Sequence, residues 1–267
     1  MGSSLGLALR KRGVPVRIHA YARRPETREA ALNLGIADAV FSDPVQAVRG
    51  ADLAVLCVPV LTIPELAKAC RVGLKPGAIV TDVGSTKACL NELMAEALAG
   101  TGAEFIGSHP ICGSEQQGIE AGNADLYDGA VTVVTPPALA DDSAVQQVSD
   151  LWKSAGSSVT VMDAASHDRI LAATSHLPHV VAAALALSAG DNGLFCGSGF
   201  RDTTRIADGS PQVWSDIVRT NAPALKASLE IFCQNINALK ALVDEGDGEK
   251  LANWFAAARD KRKELLG

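Results

Sequence analysis

No long run of lysine or arginine occurs in this 267-residue chain, and its formal net charge is −6. That balance offers no electrostatic footprint for nucleic acid or for an anionic membrane surface. No apolar stretch reaches the length of a membrane span before His, Pro or Gly interrupts it. A charged-then-apolar leader with a cleavage site is also missing, so export is not expected. The six cysteines (Cys57, Cys70, Cys89, Cys112, Cys196 and Cys233) form no CxxC pair and no metal-finger spacing. Scattered single cysteines in apolar surroundings fit buried thiols in a reducing cytoplasm. These absences leave a cytoplasmic protein whose partner is a small molecule.

What is present is a globular composition, 48% hydrophobic and 20% charged. Short β-branched runs at Val16–Tyr21, Leu53–Val58, Ala78–Val83, Phe105–Gly107, Val131–Thr135 and Val159–Met162 read as strands. Several are apolar throughout, as strands covered on both faces should be. Helical patterns lie between them at Pro25–Leu34, Ile63–Arg71, Lys87–Leu98 and Ser143–Ser154. This alternation predicts a doubly wound, Rossmann-type α/β domain over residues 1–163. Residues 164–267 carry no convincing strand and read as an all-helical substrate and dimerisation domain. Its Ala-rich, low-charge helices need a partner surface, so a homodimer is expected.

A nucleotide-binding fold of this kind opens with a strand, a Gly-rich turn and a helix whose N-terminus receives the pyrophosphate. Here Met1-Gly2-Ser3-Ser4 leads straight into the amphipathic helix Leu5–Arg12. Gly2 takes the place of the last glycine of G-x-G-x-x-G, with Ser3 beside it, and the first strand is absent. The expectation is that about ten further apolar and Gly-rich residues precede Met1 in the native protein. The acid that would bind a ribose 2′-hydroxyl, at the end of the next strand, is replaced by Ala22. Arg23 and Arg24 follow, with donors suited to a 2′-phosphate. The cofactor expected is NAD(P), leaning to NADP; a solvated basic turn is the plainer reading.

Ligands of open parallel sheets bind at the carboxyl ends of the strands. Three such ends stand out. Cys57-Val58-Pro59 closes an apolar strand and places Val58 and Pro59 to wall a cofactor. Thr81-Asp82-Val83-Gly84-Ser85-Thr86-Lys87 contains a tight turn, and Ser85 can cap the helix after it. In Ser108-His109-Pro110, the proline forces His109 into an extended conformation and aims its imidazole from a strand end into the crevice. A base at a hydride-transfer centre needs a pKa near working pH, which histidine offers. In the helical half, His176 and His179 are three apart and share a helix face. Metal binding competes for these histidines, but no carboxylate or cysteine completes a ligand set nearby. Gly199–Ala207 holds Arg201, Thr203, Thr204 and Arg205, a set suited to clamping a carboxylate.

Taken in order, Leu53–Pro59, Asp82–Lys87, Ser108–Gly118, His167–Asp168, Ser175–His179 and Phe200–Ala207 resemble the prephenate and arogenate dehydrogenase family. The resemblance runs from Gly2 to about Asp216. It implies oxidative decarboxylation of a cyclohexadienol, prephenate or arogenate, with hydride transfer to the nicotinamide. By that resemblance His109 accepts the ring hydroxyl's hydrogen bond or proton, and Ser85 orients hydroxyl and nicotinamide. Arg205 grips a substrate carboxylate, and His176, His179 and Ser114 line the substrate site. His167 matches a further family histidine with a structural or gating role. A β-hydroxyacid dehydrogenase would share the architecture but needs a catalytic lysine early in the helical domain. None occurs between Lys153 and Lys226. A degenerate NAD(P)-sensing protein is the non-enzymatic alternative, although a sensor has no use for a base facing the nicotinamide.

Overall fold

The computed structural model describes residues 1–113 and 118–267. Its elements run α1 (Gly2–Lys11), β1 (His19–Tyr21), α2 (Pro25–Asn33), β2 (Ala39–Phe41), α3 (Pro44–Val48), β3 (Leu53–Leu56), α4 (Ile63–Cys70), β4 (Ile79–Asp82), α5 (Ala88–Ala97), β5 (Glu104–Phe105), β6 (Gly107–Ile111), β7 (Val131–Thr135), α6 (Asp142–Ala155) and β8 (Ser158–Val161). Helices alone make up the rest: α7 (Ala164–Leu171), α8 (Leu177–Ser188), α9 (Ser198–Thr204), α10 (Pro211–Thr220), α11 (Ala222–Glu245) and α12 (Gly248–Leu266). The α/β half succeeded by an all-helical half agrees with the sequence reading.

Strand pairing refines it. β1 runs parallel to β2, and β3, β4 and β5 form a parallel set in which Leu53 faces Ile79 and Val80 faces Phe105. β6 breaks the pattern. It runs antiparallel to β7, with His109 opposite Val133, while β7 and β8 are parallel. His109 therefore sits in the middle of a strand, not at the strand end that the sequence suggested. Pro110 is compatible with this because a proline only has to avoid donating to the ladder. β2 and α3 carry too few residues to show a period, which is why neither is legible in the sequence.

Neighbouring β4 residues enter different cores, as burial on both faces demands. Val80 joins Leu56, Ile63, Leu90, Met94 and Phe105 on one side. Ile79 joins Leu5, Leu9, Ile106, Val148 and Trp152 on the other. α1 joins this second core through Leu5, Ala8 and Leu9, and it approaches Ile36, between α2 and β2, closely because Gly6 has no side chain. A Cβ there would meet the Ile36 carbonyl oxygen at 2.6 Å and Ile36 Cγ2 at 2.7 Å.

The segment Ala164–Ser188 corrects the expectation of interrupted apolar stretches. α7, a π turn (Ala172–His176) and α8 run on as one helix of 25 residues, in which an 18-residue window has mean hydropathy 1.6, long and apolar enough by length and composition to cross a membrane. Pro178 does not break it, because it falls in the first turn of α8, directly after the π turn, where its missing N–H costs little. The cysteines are also less uniformly hidden than expected. Cys70 is buried, Cys233 is exposed and the other four are intermediate.

Residues Pro223–Gly267 form a compact unit of their own, most of α11 together with α12. Gly246 turns the chain at φ +70°, and the Asp247 carboxylate caps α12 by accepting from the backbone N–H groups of Glu249 and Lys250.

Replacing Gly6 by alanine gains helix propensity, about 1 kcal/mol. It also forces a methyl against a backbone oxygen that cannot rotate away, an overpacking cost of about 1–3 kcal/mol. We expect net destabilisation in urea unfolding. A higher midpoint for Gly6→Ala would contradict this account of α1 docking.

Candidate active site

The loop between β4 and α5 is held by a buried ion pair. Asp82 and Lys87 are both fully buried, and the Lys87 ammonium donates to Asp82 Oδ2. Asp82 Oδ2 also accepts from Gly84 N at 2.7 Å, and Oδ1 accepts from Ser108 N at 3.0 Å. Lys87 Nζ reaches the Ser108 carbonyl at 2.8 Å. Ser108 is in turn tied down by its hydroxyl, which donates to the Asp82 carbonyl and accepts from Trp152 Nε1 at 2.9 Å. Ser85 lies inside this loop and His109 comes directly after Ser108, so one cluster fixes both. Desolvation holds the Lys87 ammonium below its usual range, and the Asp82 carboxylate opposes that shift.

His109 is 8% exposed. Its Nδ1 lies 2.9 Å from Nε2 of fully buried His167. The other nitrogen of His167, Nδ1, is 2.8 Å from Asp168 Oδ1. Asp168 also accepts from Lys87 N at 2.8 Å and Ala88 N at 2.9 Å, which makes it the cap of α5. This corrects the reading of Ser85 as capping residue. Lys87 stands at the N-cap position without a side-chain cap, and a carboxylate 81 residues away in sequence serves the helix instead.

His176 is 1% exposed and belongs to the π turn. Asn221 Nδ2 donates to the Asp168 carbonyl at 2.8 Å and lies 3.1 Å from His176 Nδ1. Since Nδ2 can only donate, His176 Nδ1 carries a lone pair and its Nε2 carries the hydrogen. That Nε2 makes no hydrogen bond among the described residues, although the Ser85 backbone faces the ring. His179 stacks on Trp214 with ring centroids 3.6 Å apart, and His176 meets the same indole edge-on at 6.3 Å. Arg205 is exposed at the end of α9, near enough for its charge to disfavour a proton on His179. Thr86 Oγ1 bonds Thr220 Oγ1 at 2.8 Å, tying the loop to α10. The site residues of the two halves thus converge, except Ser114, which lies outside the described residues.

The residues read as cofactor contacts sit at the start of the chain and after β1 and β3. Gly2 begins α1, and a Cβ there would meet Cys57 Cβ at 3.2 Å, so the helix start rests against the end of β3. No side chain caps α1, and its first turn holds no acid. Its N–H groups and dipole therefore suit an anion. Ser3 and Val58 are half-buried, and Pro59 is exposed. Arg23 and Arg24 are exposed and pair with no carboxylate among the described residues. These features fit a dinucleotide.

The comparisons with known proteins divide the chain in two. Residues 5–161 match the nucleotide-binding domain of prephenate dehydrogenase, and residues 163–257 match its dimerization domain. The chain belongs to the prephenate dehydrogenase family. It is 33% identical to the cyclohexadienyl dehydrogenase of Zymomonas mobilis over 99% of this chain and 92% of that one. It is 30% identical to the prephenate dehydrogenase of Bacillus subtilis, over 99% and 73% respectively. The crystal structure of prephenate dehydrogenase from Aquifex aeolicus, in complex with hydroxyphenyl propionate and NAD+, superposes with a TM-score of 0.91 at 32% identity, covering 98% of this chain and 94% of that one. The family is one of oxidoreductases that use a nicotinamide cofactor.

Sequence reasoning passed over Asp82, Lys87, Asp168, Trp214 and Asn221 as site components. For Asp82 and Lys87 a signal was there, since opposite charges five residues apart at an apolar strand end must either reach water or meet. Asn221 gave none, because a lone asparagine at a helix junction reads as a turn.

Burial is the first cause holding His109 well below the usual histidine range, and the neighbouring His167, Lys87 and His176 add to it. Burial likewise lowers His176 to about 4. Both groups bind a proton more readily unfolded, at about 6.5, than folded. Stability should therefore be level above about pH 6.5 and fall as pH drops toward 4, because the unfolded chain takes up more protons. His176 alone contributes a loss of roughly 2 kcal/mol by about pH 5. Thermal unfolding across this range checks it; a melting temperature that does not move between about pH 7 and pH 5 would show that the imidazoles are not buried as described.

Proposed function

We propose that this chain oxidatively decarboxylates prephenate to 4-hydroxyphenylpyruvate in tyrosine biosynthesis. The observation that carries the reading is a buried, uncharged imidazole, His109, locked beside the Ser85 loop in a chain that matches both halves of a prephenate dehydrogenase.

His109 accepts the hydrogen bond, and transiently the proton, of the ring hydroxyl. It stays uncharged until then because burial and the neighbouring Lys87 ammonium disfavour protonation. Ser85 orients the same hydroxyl. His176 presents an N–H donor, and His179, Ser114 and exposed Arg205 hold the side-chain and ring carboxylates. The bound nicotinamide supplies hydride acceptance from the carbon that bears the hydroxyl. As the ring carboxylate departs as carbon dioxide, its bonding pair enters the ring, and the proton returns to what is now a phenolic oxygen. Aromatisation drives the step, so the residues mainly position the groups and keep water out.

Gly2, Ser3, Val58 and Pro59 would hold the pyrophosphate and nicotinamide ends of the cofactor, and Arg23 and Arg24 its ribose end. The two arginines favour NADP over NAD. Residues 1–163 serve as the nucleotide domain and 164–267 as the substrate and dimerisation domain of a homodimer in the cytoplasm. Arogenate, with an amine where prephenate has a keto group, is the alternative substrate. A chain that binds NAD(P) without turnover is the other alternative.

The test is the near-ultraviolet absorbance of reduced nicotinamide, with each substrate tried against NAD and NADP. We expect turnover with prephenate and a lower KM for NADP. Turnover with arogenate alone would reassign the substrate, and none with either would leave a binding protein. His109→Asn should lower kcat by about 10²–10⁴-fold with cofactor binding intact. Arg205→Ala should raise the substrate KM by about 10-fold or more at nearly constant kcat, since a carboxylate clamp contributes to ground and transition state alike.

A further inference from the structure

A histidine acts as a base only through the nitrogen that lacks a hydrogen, and the bond made by its other nitrogen decides which one that is. The groups behind His109 make that decision. The Asp168 carboxylate can only accept, so His167 Nδ1, 2.8 Å from it, carries a hydrogen. Between His167 Nε2 and His109 Nδ1, 2.9 Å apart, a single hydrogen is shared. It belongs to His167 only if that ring is a cation. Yet Asp168 already balances the N–H groups of Lys87 and Ala88 at the positive end of α5, and the Lys87 ammonium lies close by. A second cation, fully buried with no further carboxylate on it among the described residues, would be costly. His167 is therefore neutral, its Nε2 is a lone pair, and His109 Nδ1 donates to it.

We propose that Asp168 and His167 are positioning residues that hold His109 as its Nδ1–H tautomer, leaving Nε2 as the base edge offered to the ring hydroxyl. This rests on the dehydrogenase reading for its purpose, but not for its geometry. The histidine side chain in water favours the opposite tautomer, so without the relay the ring would mostly present a hydrogen where it must present a lone pair. The relay also serves the reaction once under way. A proton taken up at Nε2 makes His109 an imidazolium whose Nδ1–H already points down a chain ending in a carboxylate, the arrangement by which serine-protease triads steady their imidazolium. The same carboxylate caps α5 directly after the Ser85 loop, so the relay and the loop cannot shift independently. His176 is set in the opposite sense by Asn221, its Nε2 carrying a hydrogen. The two buried histidines thus offer one acceptor and one donor edge.

The experiment is nitrogen NMR on the full chain with labelled histidine at neutral pH, free of cofactor, with the His109 signals assigned by their loss in His109→Asn. Expected is a protonated Nδ1 and an unprotonated Nε2 on His109. In His167→Leu, which removes the acceptor, His109 should revert to the Nε2–H form. kcat should fall by about 10²-fold while the substrate KM and cofactor Kd stay near wild type. His167→Gln, which keeps one donor and one acceptor, should recover most of both. Should His167→Leu fail to fold, Asp168→Asn and the wild-type spectrum decide. An Nε2–H His109 in the wild type, or an unchanged tautomer in the folded His167 variant, overturns the relay even if turnover is normal. Absence of turnover with every cyclohexadienol would overturn the dehydrogenase reading and leave the tautomer result standing.

Discussion

The buried pair of Asp82 and Lys87 is the constraint on which the site depends. Taking two charges out of water costs several kcal/mol per ion, roughly. That cost is tolerable only when every remaining donor and acceptor is used. Here the carboxylate receives the ammonium, Gly84 N and Ser108 N, and the ammonium also reaches the Ser108 carbonyl. The cluster joins the end of a parallel strand, β4, to an antiparallel one, β6, where no β-ladder runs between them. It does with side chains what the sheet does elsewhere, and it does so beside Ser85 and His109. Loss of one partner would leave a naked charge in the interior, so the pair ties the geometry of the site to the stability of the fold.

A second constraint comes from the helix that begins at Ala164. A polar face on so apolar a helix must find partners, and it finds them in the first half of the chain and around α10. Asp168 caps α5, His167 meets His109, and His176 is reached through Asn221 from the end of α10. The π turn matters here. An extra residue in one turn rotates the helix beyond it, so that His176 faces inward while His179 moves out to stack on Trp214. Two histidines three apart, which an ideal helix would place side by side, acquire different environments.

Much of this was legible in the sequence because periodicity and strand-end chemistry are local. Apolar strands announced the doubly covered sheet, the break in pattern after Asp163 announced the helical half, and His109 stood out beside its proline. What escaped was non-local. The antiparallel turn of β6 depends on pairing with a strand more than twenty residues on, and nothing in Gly107–Ile111 states a direction. Ser85 looked like a helix cap because serine before a helix usually is one. The carboxylate that took that place lies on another element, and a cap supplied across the fold leaves no mark within four residues of the helix start. Lys87 read only as the start of a helix; lysine is rarely buried unless paired, and its pair became visible only once Asp82 was seen to point the same way.

The charges of the site are sorted by depth, and that sorting stems from the chemistry. On the proposed reading, a dianionic substrate such as prephenate must be drawn in by positive charge, but its hydroxyl must meet a base that is not already protonated. One buried cation serves the second need. Lys87 is matched by Asp82, so it adds no net attraction, yet its proximity and the loss of water keep His109 neutral. Arg205, the residue proposed to attract the substrate, is exposed, where on that proposal its carboxylate partner would arrive with the substrate. Exchanging the two would fail on both counts. An unpaired arginine in the interior would be prohibitively desolvated, and a lysine already paired at the rim would have nothing left for the substrate. The fold can meet both needs because the inner cation is built into the loop between β4 and α5 and the outer one into a helix end of the second half.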